Sequence, residues 1–452
     1  MHKSTLAIAV AVGLLAQQAS AAGFIEDSKA TLKLRNFYIN NDNRDSGTKA
    51  AGAQSKTEEW GQGFQLDFTS GFTQGTVGFG IDAIGLLGVK LDSSAGKHGN
   101  PTGANYGGSV FPSDGNHAVD DFSSLGLTAK AKVSQTELRI GTLQPKLPVI
   151  VSNDGRMLPQ TFQGGQITSS EFKDLTFTGG QIEHAKGRNS SNNEGLSIAG
   201  ANNSITGKFV NKFYYGGVDY KVNKDLLLQY YYGNLEDFYK QNFLGLVHNW
   251  SIGPGVLKSD LRYFNSTDDG KNGHDSAYYT TGDYANSSAG SGKGKVDNNL
   301  ISGLFLYTVE GHTFGGGYQV SNGSSDFPFL NQGDGASAYI PTDMQISKFA
   351  RAGERTWQAR YSYDFAKVGV PGLTAGAVYL RGDNIDTYSG NKQTSNGASE
   401  WERDITVAYV IQEGTLKNLG FMWKNAMWRN DIAGQRDQDE NRLIVSYSIP
   451  LL

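Results

Sequence analysis

Nine cations stand in segments whose alternate positions are apolar: Lys33 and Arg35 in TLKLRNFY, Lys130 and Lys132 in LTAKAKV, Arg139 in TELRIG, Arg262 in SDLRYF, Arg360 in TWQARYSYDF, Lys424 in FMWKNAMW and Arg442 in NRLIVSYS. The chemistry they offer is recognition of anions. A guanidinium pairs a carboxylate through two parallel hydrogen bonds, and an ammonium acts as a compact point charge. Rows of such groups along a narrow pore attract and pass anions. The plain alternative is bracing of a wall, because Asp67, Glu137, Asp260, Asp364 and Asp404 share the same phase. Taken singly, each cation is expected to pair with such an acid; taken as a set, they still polarise a channel. Arg381, Arg403 and Arg429 fall out of phase or at segment ends and are weaker candidates.

The elements that carry these residues read as strands. In TWQARYSYDF, Trp357, Ala359, Tyr361, Tyr363 and Phe365 form one set, and Thr356, Gln358, Arg360, Ser362 and Asp364 the other. Successive strand residues point to opposite faces, so the ribbon has an oily side and a charged side. The alternation recurs from Trp60 to Phe68, from Leu125 to Val133, from Ile405 to Ile411 and from Leu443 to Leu451. Fifty-nine glycines and 45 Tyr and Phe residues (22 and 23) against 10 prolines make a strand-and-turn composition. The fold class is all-β.

Connectivity decides which side is inside. Short polar turns such as SGFTQGT (70–76) and VNKD (222–225) alternate with long polar loops at 92–121, 265–298 and 321–354. Turns on one rim and loops on the other are the arrangement of an outer-membrane antiparallel β-barrel, whose apolar face meets lipid. The charged face then lines a lumen. A barrel of sixteen strands or more keeps that lumen open to water. No composition shift marks a second domain, so residues 22–452 are expected to form one transmembrane barrel. The chain has no cysteine, and a closed barrel, which leaves no edge strand, supplies the stability that disulfides would otherwise give.

The first 21 residues combine Lys3, an apolar stretch from Leu6 to Leu15 and the small-residue pattern Ala19-Ser20-Ala21, a secretory signal peptide. A formal net charge of -4 argues against a nucleic-acid partner. The absence of cysteine excludes thiol nucleophiles and Cys-based zinc sites. None of His98, His117, His184, His248, His274 and His312 sits in a hydrolase or metal-ligand motif, and GSGKGK (290–295) lacks P-loop spacing. No cofactor, metal site or catalytic residue is expected. An outer-membrane hydrolase and an unselective porin or adhesin stand as competing classes.

One loop is unusual. GTLQPKLPVIVSNDGRMLPQTFQGGQITSSEF (141–172) carries three prolines together with apolar residues, which suits a loop folded inward against the wall. It would narrow the pore with Asp154, Arg156 and Gln160.

The segments GFIEDSKATLKLRNFYINND, QGFQLDFTSGFTQGTVGFGIDAIGLLGVKLD, DGRMLPQTFQGGQ, RTWQARYSYDFAKVGVPGLT, WERDITVAYVIQEG and NRLIVSYSIPLL resemble the OprD family of substrate-specific outer-membrane porins, from about Gly23 to Leu452. The resemblance implies about 18 strands, a monomer or weak homotrimer in the lipid and lipopolysaccharide of a Gram-negative outer membrane, and a third loop folded inward. It also implies a basic ladder that guides small anionic solutes bearing carboxylates. DGRMLPQTF matches the inward loop, which makes Asp154 and Arg156 constriction candidates, and Arg35, Lys130, Arg139, Arg360 and Arg442 resemble ladder or wall cations. The strand that carries two lumen arginines in some members here offers only Lys424. EWERDITVAYVIQEG and LEDFYKQNFLGLVHNW look closer to channels for aromatic or cyclic carboxylates than to those for basic amino acids and peptides.

Overall fold

The computed structural model describes residues 23–44, 55–98, 109–198, 209–270, 295–331, 337–389, 392–432 and 435–452. The signal-peptide segment lies outside the described residues, as do parts of the long loops.

Eighteen strands form one sheet in which each pairs antiparallel with its neighbours in sequence. They are β1 (Lys29–Asn43), β2 (Lys56–Thr69), β3 (Gly78–Asp92), β4 (Asp121–Val133), β5 (Thr136–Leu143), β6 (Thr161–Ser169), β7 (Leu175–Lys186), β8 (Phe213–Lys221) and β9 (Leu226–Leu235). The second half comprises β10 (Tyr239–Ile252), β11 (Gly255–Asp268), β12 (Asp297–Val309), β13 (His312–Gly323), β14 (Arg355–Asp364), β15 (Leu373–Ser389), β16 (Lys392–Val410), β17 (Gly420–Asn430) and β18 (Gln438–Pro450). Pairing of β1 with β18, from Thr31 opposite Pro450 to Asn43 opposite Gln438, closes the barrel. Short turns join strands on one rim, such as 134–135, 222–225 and 310–311, and the other rim carries the longer connections, 93–120, 144–160, 187–212, 269–296 and 324–354.

Burial is the inverse of a soluble protein's. Leu125 is 72% exposed and Ile301 59%, while Thr356, Ser321, Gln319 and Gln358 on the opposite face are almost fully buried. The expected phase of TWQARYSYDF holds: Trp357 and Tyr361 face outward, and Thr356 and Gln358 inward. Aromatic side chains gather at two heights on the outer face. His312, Phe314, Tyr361, Tyr363 and Phe365 cluster near the turn rim. Trp357, Tyr379 and Trp401 pack in a row higher up. Two such girdles flank the apolar band of a membrane barrel.

The upper lumen is not empty. The third loop, L3 (144–160), crosses it and is anchored by apolar side chains at both ends. Val149 and Ile150 pack with Phe213, Tyr231 and Leu235 of β8 and β9. Met157 and Leu158 pack with Phe37, Ile39, Leu86, Phe111 and Phe122 on the β1–β4 side. The stretch 141–172, read as a single loop, contains the whole of β6. Its adjacent Gly164 and Gly165 interrupt the apolar alternation that would have identified a strand.

Gly61 and Gly63 allow the close approach of L3 to the wall. A Cβ on Gly63 would lie 2.9 Å from both Cγ and the carbonyl oxygen of Met157, and one on Gly61 2.6 Å from its sulfur. Gly63→Val is expected to push the end of L3 off β2 and raise single-channel conductance. Conductance equal to that of the unaltered protein would show that the loop, not the spacing, yields.

A second loop also turns inward, although 321–354 reads in the sequence as one of the long polar loops. In L7 (324–354), Phe327, Leu330, Ala338 and Ile340 join the same apolar cluster as Val149 and Phe213. Burying side chains of this kind contributes about 1.5–3 kcal/mol each for the large ones. That gain draws the loop off the rim and into the barrel.

Candidate constriction between two inward loops

L3 and L7 meet over the wall formed by β16, β17 and β18 and enclose a cavity of about 480 Å³. Its lining comprises Asn153, Gly155 and Arg156 of L3, Arg188, Ser337 and residues 343–346 and 348 of L7, and Asp404, Lys424 and Arg442 of the wall.

The wall holds the L7 tip by its backbone. Alternate residues of β16 face inward, so Glu400, Glu402 and Asp404 form a comb of carboxylates. Glu402 accepts the amides of Ile346 at 2.9 Å and Ser347 at 2.7 Å. Glu400 accepts the Ser347 hydroxyl at 2.6 Å and the Trp428 indole N–H at 2.5 Å. Asp404 accepts the Gln345 amide at 3.3 Å. Behind the tip, burial and then the charge of Glu400 push the Glu354 carboxyl well above the usual carboxylate range.

The nine cations expected on the lumen face all lie there, but they divide by what they touch. Four anchor the loops. Arg35 donates to the Asp154 carboxylate at 2.7 and 3.1 Å and to the Arg156 carbonyl at 2.7 Å. Arg442 donates to the carbonyls of Gln345 at 2.9 Å and Gly155 at 3.3 Å, tying L7 to L3. Arg262 donates to the Tyr339 carbonyl at 3.1 Å and lies 4.0 Å over its ring. Arg360 donates to the Pro341 carbonyl and, at 2.7 Å, to Gln358. Three others pair with wall acids nearer the turn rim: Lys33 with Asp67 at 2.7 Å, Lys130 with Asp82 at 2.7 Å, and Arg139 with Glu137 at 2.5 Å. Lys132 lies 5.8 Å over the Phe72 ring.

Lys424 differs from the other cations of the cavity. Half-buried and directly opposite Arg442 across the β17–β18 ladder, it makes no hydrogen bond or ion pair with the described residues. Its side chain lines the cavity.

Of the loop residues expected at a constriction, Asp154 is spent on Arg35, and Arg156 lines the cavity with Glu440 3.8 Å away. Gln160 is buried at the base of L3, where its side-chain oxygen accepts the Asn153 amide at 3.3 Å, so it lies outside the lining. Asp364 is not a lumen partner either: it sits at the turn rim and accepts the Ala366 amide at 2.9 Å. Arg403 and Arg429, set aside by phase, interact on the outer face, Arg403 with Asn425 at 2.5 Å and Arg429 with Asp439 at 2.7 Å.

Sequence reasoning missed Arg188, the L7 tip and the carboxylate comb. A signal for L7 was present: Phe327, Pro328, Phe329, Leu330, Ile340 and Pro341 repeat the mixture of prolines and apolar residues that marked L3. Glu400 and Glu402 share the lumen phase of Asp404 in SEWERD.

Residues 22–451 match the family model described as outer membrane porin, OprD family. The porin-like protein GalP of Pseudomonas putida is 36% identical over 99% of this chain and 97% of its own length. Porin D of Pseudomonas aeruginosa is 34% identical over 98% and 96%. Among solved structures, OccK8 (OprE) of Pseudomonas aeruginosa superposes with a TM-score of 0.83 at 62% identity, covering 95% of this chain and all of that one. OpdK of the same organism, solved with vanillate, gives 0.81 at 34% over the same shares.

Proposed function

This chain belongs to the OprD family of substrate-specific outer-membrane porins, and from that premise we propose that it passes small carboxylates by facilitated diffusion through the constriction between L3 and L7. Members of the family are channels rather than enzymes, and they reside in the outer membrane of Gram-negative bacteria. The mature chain, after removal of residues 1–21, would act as a monomer or weak homotrimer among outer-membrane lipid and lipopolysaccharide.

The observation that carries the proposal is Lys424. An ammonium lining the cavity with no hydrogen-bond acceptor or ion-pair partner among the described residues supplies a landing point for a carboxylate, and Arg442, paired with Glu440 at 2.5 Å, stands directly opposite it across the ladder. A solute must bind well enough to enter and weakly enough to leave. Below the constriction, Lys33, Lys132 and Arg139 provide further steps toward the turn rim, each softened by its own partner.

Ring-bearing acids belong to this class. The likeness of EWERDITVAYVIQEG to channels for aromatic or cyclic acids supports them, as does a relative solved with vanillate. Among the described residues the cavity lining contains no aromatic side chain, which favours recognition of the carboxylate over the ring. The cationic lining disfavours basic amino acids, and two loops across the lumen disfavour an unselective pore.

Single-channel current through the bilayer-reconstituted protein, titrated with benzoate and separately with arginine, tests this reading. Concentration-dependent block by benzoate alone is expected. Block by arginine alone would assign the channel to basic amino acids, and large ohmic current indifferent to both would make it a general porin.

A further inference from the structure

Three arginines that strand phase excludes from the lumen, Arg381, Arg403 and Arg429, come together on the outer face of the barrel. Across β15, β16 and β17, Arg381, Trp401 and Arg429 stand directly opposite one another, and Arg403 follows Trp401 on the same face. Diagonal neighbours of this kind lie about 7–8 Å apart, so Arg403 has Arg381 on one side and Arg429 on the other. Acids answer the two flanking residues. Arg381 pairs with Asp383 at 3.0 Å, and Arg429 pairs with Asp439 at 2.7 Å, approaches Asp437 at 3.7 Å and lies 6.0 Å over the Trp401 ring. Arg403 makes no ion pair among the described residues. Its one hydrogen bond to them runs from Nη2 to the Asn425 side-chain oxygen at 2.5 Å, and Asn425 donates in turn to Asn441 at 3.0 Å. A neutral amide chain therefore holds the half-buried guanidinium in place, while its Nε is left without an acceptor.

Such a group is not matched by hydrocarbon. A cation on the lipid face costs about 2–4 kcal/mol at the midplane and about 0–1 kcal/mol near an interface, where polar groups reach it. The height of Arg403 is set by Tyr379, directly opposite, which packs with Trp357 and Trp401 in the upper aromatic row. That row lies toward the rim of long loops, the extracellular side of such barrels. We propose that Arg403, flanked by Arg381 and Arg429, binds a phosphate of a lipid A headgroup in the outer leaflet. A guanidinium matches phosphate oxygens with its planar fork of N–H donors. Zwitterionic phospholipids would bring an ammonium of their own against three arginines, whereas the phosphates of lipid A stand on a sugar. The site lies outside the pore and holds whichever solute the channel passes.

The test is lipid retention by the full-length barrel in detergent, read by native mass spectrometry. The probes are lipid A, lipid A stripped of its phosphates and phosphatidylglycerol, with inorganic phosphate as competitor, and the variants are Arg403→Gln and Arg403→Lys, each verified as folded by its heat-resistant gel migration. The unaltered protein is expected to hold lipid A about tenfold or more tightly than the dephosphorylated form, given the usual worth of a charge-assisted contact. Arg403→Gln should lose that margin, and Arg403→Lys should keep part of it. Equal retention of the two forms of lipid A by the unaltered protein would overturn phosphate recognition, and this comparison decides even where Arg403→Gln fails to fold. Phosphatidylglycerol held as tightly as lipid A would overturn the choice of lipid, and displacement by inorganic phosphate would reduce the site to one for a free ion. A margin undiminished in folded Arg403→Gln would remove Arg403 from the role.

Discussion

Replacing Lys424 by glutamine weakens carboxylate block of the channel by roughly ten- to a hundredfold, the equivalent of about 1.5–3 kcal/mol for a hydrogen bond to a charged group. The expectation follows from what Lys424 does not do. Arg35, Arg262, Arg360 and Arg442 each hold a loop carbonyl, so removing any of them alters L3 or L7 as well as the field. Lys424 holds no described residue, so its removal leaves the loops where they are and relieves its opposition to Arg442. The barrel should be no less stable. Titration of open-channel current with benzoate, alongside thermal unfolding of the detergent-solubilised protein, separates the two effects. Unchanged block in a folded Lys424→Gln channel would exclude Lys424 as the landing point.

Glu402→Ala produces the second large change, an enlarged and noisier pore. The carboxylate accepts two consecutive amides at the L7 tip, Ile346 and Ser347, and the substitution leaves both without acceptors. A buried donor without a partner costs about 1–3 kcal/mol, so two of them favour a tip that leaves the wall and finds water. Ser347 keeps its hydroxyl contact to Glu400 and Gln345 its amide contact to Asp404, so the tip becomes mobile rather than lost. Glu402→Gln retains one acceptor oxygen and should fall between the two. Single-channel conductance and amide exchange of residues 343–348 report the release. Normal conductance with undiminished protection in Glu402→Ala would show that the apolar anchors Phe327 and Ile340 alone hold L7.

Much of the architecture was legible because a strand's period of two is written directly into side-chain order. Once lipid rather than water was assigned to the apolar phase, TWQARYSYDF, LGLTAKAKV and NRLIVSYSIPLL each placed their cations on the lumen face. L3 was legible through prolines and apolar residues that solvent would not favour. Its limits were not, because Gly164 and Gly165 concealed β6 inside it. L7 carried the same kind of signal in Phe327, Pro328, Ile340 and Pro341, mixed with enough Ser, Asp and Gly to pass for an ordinary rim loop.

The sequence by itself determined the inside-out barrel, the phase of its cations and the presence of an inward loop, since all three depend on local order and on the solvent each face prefers. Only the tertiary structure decided what each cation does. Arg360 and Lys424 are equivalent by phase, yet one is bound to Pro341 of L7 and the other faces an open cavity. Their partners come from loops distant along the chain, as Asp154 comes to Arg35 across 119 positions and Gln345 to Arg442 across 97. Strand periodicity specifies the face on which a side chain emerges; it carries no information about which loop will fold across that face.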